Sequence, residues 1–385
     1  MRDAREAFER THGAPPAGVW SAPGRVNLIG EHTDYNGGLA LPVALPQRTY
    51  AACSPRADDL LRVRSLQSDT PAEVRLTDVG PGTPGGWAAY VAGVLWALRE
   101  AGHEVRGMDV VVDGRVPLGG GLSSSAALEC SVGAAASDLF GLGLLDDDAG
   151  RSLLVDACRR AENDVAGAPT GGMDQSASLL CREGHALLLD CRDDTHEHVP
   201  VRLAANGLVL LVTDTRAQHE LVDGQYGERR AACERAAAEL GVETLREVPA
   251  GELEDRLAAL SDDELRRRTR HVVTEIVRVQ DCVAALRAED FGEVGRLFVA
   301  SHESLRADYE VSAPELDLVV DSALGAGALG ARMTGGGFGG SAISLVRAPD
   351  AEAVTEAVTA AFTDQGYAVP ATFACTPSSA AHRDA

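Results

Sequence analysis

Lysine occurs nowhere in the 385 residues. Its absence removes the chemistries that rest on that amine: the Walker A phosphate loop, the strand lysine of protein kinases, Schiff-base catalysis and pyridoxal phosphate attachment. Any phosphate this chain handles must be held by backbone N–H groups, arginine and a divalent cation. Basic residues as a whole are outnumbered, 35 against 58 acidic, for a net charge of -23. A field of that sign repels polyanions over much of the surface and argues against nucleic acid as a partner. A smaller anion can bind only where a helix N-terminus and backbone donors reverse the field locally. No apolar stretch approaches the roughly 18 residues of a membrane span, and the opening MRDAREAFER is charged and helical in pattern. We therefore expect a cytoplasmic protein with no membrane partner. C-x-x-C pairs and histidines at zinc spacing are also missing, so the 8 cysteines read as reduced packing residues.

The chain is long for one hydrophobic core, and with 45% hydrophobic residues it can fill two. Apolar runs near Arg48 to Ser54, Met108 to Val112, Ala186 to Leu189 and Gly207 to Thr213 read as strands. Trp87, Tyr90, Val91, Val94, Leu95 and Leu98 recur at helical spacing, with Gly102 as the stop. Leu128, Val132, Ala135 and Leu139 mark a second helix, residues 272–286 a third, and Val354, Val358 and Phe362 a fourth. Two α+β lobes follow, 1–200 and 201–385, with a cleft between them. The stretch 242–270, rich in Glu, Asp, Arg and Leu, reads as solvated helices covering one lobe.

Three segments carry chemistry. PLGGGLSSSAA, residues 117–127, follows a strand and opens an amphipathic helix, so its glycines and serines fit either a phosphate-binding turn or a simple serine cap. Ser124 stands where the dinucleotide fingerprint needs its third glycine. Gly335 to Gly340 formally satisfies G-x-G-x-x-G, but the SAISLV after it alternates like a strand, which leaves a tight loop beside a ligand or a plain hairpin. The third segment is polar: Arg25, Glu31, His32 and Asp34 crowd into GRVNLIGEHTDYNGG, residues 24–38, while Glu162 and Asp174 flank the turn VAGAPTGG. Such a mixture offers the donors and acceptors that sugar hydroxyls require, or simply a solvated loop. Glu162 shares a helix with the apolar stripe Leu154, Cys158, Ala161 and Val165, where a carboxylate needs a cation or donors; paired with a serine of the glycine loop it suits Mg²⁺.

Together these segments resemble the galactokinases of the GHMP kinase family. GRVNLIGEHTDYNGG looks like the galactokinase signature, PLGGGLSSSAALE like the ATP loop, GGMDQ like the catalytic-aspartate segment and GARMTGGGFGG like the third motif. SHESLRADYEVSAPELD, residues 301–317, adds further matching text, so the likeness spans nearly the whole chain. Ala313 and Ser341 depart from it, each standing where relatives commonly carry cysteine. The resemblance implies a two-lobed α+β GHMP-kinase fold that transfers the γ-phosphoryl of ATP, with Mg²⁺, to the anomeric hydroxyl of galactose. It implies sugar contacts from Glu31, His32, Thr33, Asp34, Gly171 and Tyr226, and phosphate contacts from Gly119, Gly120, Gly121, Leu122, Ser123, Ser124 and Ser125. Ser125 and Glu162 would hold the metal, Asp174 would face the reacting hydroxyl, Arg25 would stabilise the transferring phosphoryl, and Trp87 and Tyr90 would lie near adenine. Thr33, Asn36 and Gly37 favour galactose over N-acetylgalactosamine or arabinose. The complete set of motifs argues against a sensor that binds without turnover. A monomer is expected.

Overall fold

The apolar runs that open the chain become the middle of a sheet. Pro42–Pro55 and Met108–Gly114 pair antiparallel at the centre of six strands. Gly18–Asn27, buried along its whole length, flanks Pro42–Pro55, and the short C-terminal strand His382–Arg383 closes that edge. Leu60–Ser65, parallel to Met108–Gly114, and Ala72–Arg75 form the opposite edge. The computed structural model describes residues 1–168, 170–217 and 222–385; Pro169 of the turn VAGAPTGG lies outside them.

Helices Ala88–Glu100, Ser124–Leu139 and Asp148–Arg160 pack together and bury Leu95, Leu98, Cys130, Leu154 and Cys158 with Trp20 in one core. Each large side chain so buried contributes about 1.5–3 kcal/mol. The Gly102 N–H donates to the Arg99 carbonyl in the expected left-handed stop.

A second, four-stranded antiparallel sheet runs Gly330–Thr334, Ser341–Arg347, Leu208–Asp214, Ala371–Cys375. Asp263–Arg287, Phe291–Ser304, Pro314–Gly325 and Ala351–Gln365 are its principal helices. Its core contains Val272, Phe298, Leu316 and Phe362, but also Val26, Leu28 and Ile29 from the segment 24–38 and Leu41 just after it. Conversely, Ala381 near the C-terminus belongs to the first core. The polar segment 24–38 is thus built into the seam between the two cores. Leu39–Ala40, His185–Asp190 and Thr195–Pro200 make a small third sheet beside it.

The stretch 242–270 is less solvated than its charge suggests. Leu245, Leu257, Leu260 and Leu265 are buried in the second core, as is Arg268, which is held by the Asp308 carbonyl and the Glu310 carboxylate. All eight cysteines are free, and all but the half-buried Cys191 are buried. Among the described residues no helix is long and apolar enough to cross a membrane.

Candidate active site

The two glycine segments lie against each other. Residues 117–123 connect the first sheet to the N-terminus of Ser124–Leu139, and Gly335 to Gly340 form the turn between strands Gly330–Thr334 and Ser341–Arg347. A Cβ on Gly335 would lie 3.0 Å from the Gly121 carbonyl oxygen, and one on Gly340 would lie 3.1 Å from that of Gly120. Side chains at these positions would force the loops apart. Between them opens a chamber of about 570 Å³ lined by Gly119, Gly121, Leu122, Ser123, Ser124 and Ser125 on one side and Gly336 to Gly340 on the other. Gly120 is not part of that lining; its carbonyl faces Ser341.

A neighbouring chamber of about 460 Å³ is lined by Glu31, His32, Asp34, Tyr90, Gly171 and Tyr226, among others. Arg25, Asp174 and Gly336 line both. Arg25 donates from Nε to Asp174 Oδ1 at 2.8 Å, its Nη2 lies 2.7 Å from the same oxygen, and its Nη1 donates to the Gly121 carbonyl at 2.6 Å. Ser123, in a left-handed conformation with φ of 60°, donates to Asp174 Oδ2 at 2.5 Å. Asp174 occupies the first turn of Met173–Leu180, where the helix dipole favours negative charge. A carboxylate fixed by a guanidinium and a hydroxyl therefore stands on the wall common to both chambers.

The carboxylates nearby bear the cost of burial. Asp34 is pushed up to about 6 by desolvation, with the charge of Asp174 adding to it. Glu162 is raised to about 7, first by burial and then by Asp174, against hydrogen bonds from Ser125, Gln175 and Thr170. Glu162 lies in a single π-helical turn, Ala161–Ala166, that follows Asp148–Arg160. The Gln175 amide donates to Glu162 Oε2 at 2.5 Å and to Glu129 Oε2 at 3.0 Å. Glu129, wholly buried, is raised well above the usual carboxyl range by desolvation and by Glu162. The Ser125 hydroxyl, which lines the glycine chamber, and the Glu162 carboxylate it bonds are hard oxygen donors of the kind that fits Mg²⁺.

Within the signature the side chains divide into two groups. Asp34 sits so close to Gly171 that a Cβ there would lie 2.2 Å from Asp34 Oδ2. His32 is buried and neutral, its pKa lowered to about 3 chiefly by burial. Its Nε2–H donates to the Gly336 carbonyl at 3.2 Å, so Nδ1 accepts from the Tyr35 hydroxyl at 2.8 Å. The Tyr226 ring lies 5.4 Å from that of His32 and faces the sugar-sized chamber. Thr33, expected among the sugar contacts, is placed elsewhere: fully buried, its hydroxyl bonds the Gly30 and Leu39 carbonyls and closes the turn. Glu31 lines the chamber, yet its carboxylate is engaged by Arg332 Nη2 and by the Gly335 N–H at 3.1 Å.

Trp87 and Tyr90 separate. Trp87 lines a small, mostly apolar cavity of about 210 Å³ with Leu118, Val116, Leu128 and Ser124, beyond the glycine loop, whereas Tyr90 faces the chamber that holds Asp34. Three residues that sequence reasoning missed support the site: Arg332, Glu275 and Gln175. The signals available were an arginine inside the buried strand GARMT and a glutamate in an apolar helical stripe.

The matches to known proteins follow this geometry. Residues 89–182 and 282–364 match the models of the GHMP kinases N terminal domain and the GHMP kinases C terminal, which defines the class as a GHMP small-molecule kinase. Residues 6–55 match the galactokinase galactose-binding signature. A galactokinase of Streptomyces coelicolor is 53% identical over 98% of this chain and 97% of its own, and one of Canis lupus familiaris is 46% identical over 90% and 88%. The crystal structure of Lactococcus lactis galactokinase complexed with galactose shares 32% identity and a TM-score of 0.93 over 99% of each chain. A mevalonate kinase at 16% identity and TM-score 0.63 shares the fold alone. The chain belongs to the galactokinase family, and the two-lobed α+β GHMP fold is the one expected.

Proposed function

We propose that this chain is a galactokinase that transfers the γ-phosphoryl of ATP to the anomeric hydroxyl of galactose, giving galactose 1-phosphate and ADP. The observation that carries this is the Arg25–Asp174 pair on the wall shared by a glycine-lined chamber and a sugar-sized one. Phosphoryl transfer asks chiefly for alignment and charge neutralisation, and this wall offers both without lysine.

ATP would lay its phosphates along Gly119 to Ser125, facing Gly336 to Gly340, with its base in the apolar cavity beside Trp87. Galactose would fill the second chamber, with Asp34 and the Gly171 backbone at its hydroxyls, Glu31 and His32 at the far end, and Tyr226 against the ring. Thr33 would shape the turn without touching sugar. Asp174 accepts the hydrogen of the attacking hydroxyl and holds its oxygen in line with the γ-phosphorus. Arg25 serves as a fixed positive charge beside the transferring group and not as a base. Glu162 and Ser125 would hold Mg²⁺, which supplies charge neutralisation to the phosphate oxygens when bound. Lobes 1–200 and 201–385 would supply the two sides of the cleft, with the C-terminal strand returning to the first. The free, mostly buried cysteines support a reducing compartment such as the cytoplasm.

The test is ADP release from ATP with and without galactose. Release that depends on galactose, and its loss in Asp174→Asn with ATP binding kept, is the expected result. Near-normal turnover in Asp174→Asn would remove that residue from the chemistry.

A further inference from the structure

Three consecutive carbonyls of the glycine loop are drawn away by groups outside it. The Gly120 oxygen accepts from Ser341 Oγ at 2.7 Å, the Gly121 oxygen from Arg25 Nη1 at 2.6 Å, and the Leu122 oxygen from the Arg25 backbone N–H at 3.1 Å. All three peptides are trans, since among the described residues the cis bond is Thr83–Pro84. In a trans peptide the C=O and the following N–H point in opposite directions. Fixing the oxygens of 120, 121 and 122 therefore turns the N–H groups of Gly121, Leu122 and Ser123 the other way. Those three residues line the 570 Å³ chamber, and among the described residues none accepts a hydrogen bond from their N–H groups. The result is a run of three donors, which is how a chain without lysine can hold phosphate oxygens.

We infer that Ser341 is a positioning residue for phosphate binding: it does not touch the nucleotide but aims the amides that do. Arg25 performs the same service for the next two peptides, while also binding Asp174. Ser341 suits this role because its own place is fixed. It is fully buried, opens the strand Ser341–Arg347, and pairs with Thr334 on one side and Asp214 on the other. The Gly340 carbonyl just before it is held by the N–H and hydroxyl of Thr215 at 2.9 and 2.7 Å. A hydroxyl on so rigid a support transmits the position of the second sheet to a loop 221 residues away in sequence. The inference rests on the reading that this chamber receives the phosphates of ATP.

The experiment compares wild type, Ser341→Ala and Ser341→Cys by calorimetric binding of ADP and of adenosine, and by KM for ATP and for galactose. Ser341→Ala frees the Gly120 peptide to rotate. ADP affinity and the KM for ATP should worsen about 5-fold or more, the usual effect of losing a buried hydrogen bond. Adenosine affinity and the KM for galactose should stay within about twofold, because neither ligand uses the phosphate amides. Ser341→Cys should fall between, a thiol being a weaker donor. Unchanged ADP affinity in Ser341→Ala, or equal losses for ADP, adenosine and galactose, would overturn the inference. Failure of the wild type to bind ADP would instead overturn the reading of the chamber.

Discussion

Arg332, with no exposed surface, reaches from the strand Gly330–Thr334 of the second sheet to the carboxylate of Glu31 in the N-terminal signature. Its Nη1 also donates to the Leu28 carbonyl at 2.9 Å, and Glu275 lies 3.7 Å from its Nη2. Burial works against the Glu275 carboxylate, but Arg278, His271 and Arg332 outweigh it and hold the group at about 2. Glu275 in turn accepts from the Gly30 N–H at 3.0 Å. Residues 28, 30 and 31 are therefore held at their polar groups by the second sheet and the helix Asp263–Arg287. Arg332→Met leaves the buried Glu31 carboxylate without its cation, while Glu275 keeps Arg278, and should cost about 3–5 kcal/mol of stability by urea denaturation. A loss under about 1 kcal/mol would mean that the pair is dispensable.

Gly171 is defined by what stands next to it. Since an added Cβ would lie 2.2 Å from Asp34 Oδ2, Gly171→Ala must displace the Asp34 carboxylate from its place in the 460 Å³ chamber. The expected outcome is a fall of about tenfold or more in kcat/KM for galactose with the KM for ATP kept within about twofold. An equal rise in both KM values would point to a general disturbance of the cleft.

The raised pKa of Asp34 sets a pH dependence whose sign can be worked out. Its carboxyl titrates at about 6 in the folded chain against an unfolded value of 3.8, so between these values the native state holds more protons. Its contribution to stability is present below the unfolded value and is lost as pH rises through about 6; Glu162, at about 7, acts with the same sign. Asp34→Asn removes a half-buried carboxylate whose ionised form is desolvated. It should raise the melting temperature relative to wild type by about 2 °C or more at about pH 8, have little effect at about pH 4, and abolish most turnover on galactose. A stability difference independent of pH would contradict this origin.

Glu162→Gln keeps the hydrogen-bonding shape and removes the charge. Turnover should fall at ordinary Mg²⁺ and recover in part when Mg²⁺ is raised about tenfold, while the KM for galactose is unchanged. In the absence of metal the variant should melt higher than wild type near neutral pH, because burial already strains the Glu162 carboxylate. Turnover indifferent to added Mg²⁺ would place the metal elsewhere.

Most of the elements were legible because their apolar periodicity survives in the sequence: the stripe through Val91, Leu95 and Leu98, and the run Val110 to Val112, are all buried. The glycine loops and Asp174 were legible as local motifs. What stayed hidden was pairing across long separations. Nothing near Arg332 announces Glu31, 301 positions earlier, and nothing near Ser341 announces Gly120. The partition of 242–270 between surface and core was likewise hidden, because charge content masked a leucine face. The bonds of the Thr33 hydroxyl to the Gly30 and Leu39 carbonyls were hidden as well, because a signature shows which residues crowd together but not which way a hydroxyl turns.

The specificity of the second chamber is the most direct test of the account as a whole. The measurement is kcat/KM for galactose, glucose and 6-deoxygalactose with wild type and Glu31→Ala, following ADP release. An epimer that turns one hydroxyl away leaves a half-buried partner such as Asp34 unpaired, a cost of about 1–3 kcal/mol, so galactose should surpass glucose by at least about tenfold. Glu31→Ala should narrow the preference for galactose over its 6-deoxy analogue. Equal use of glucose and galactose by the wild type would contradict the galactokinase reading.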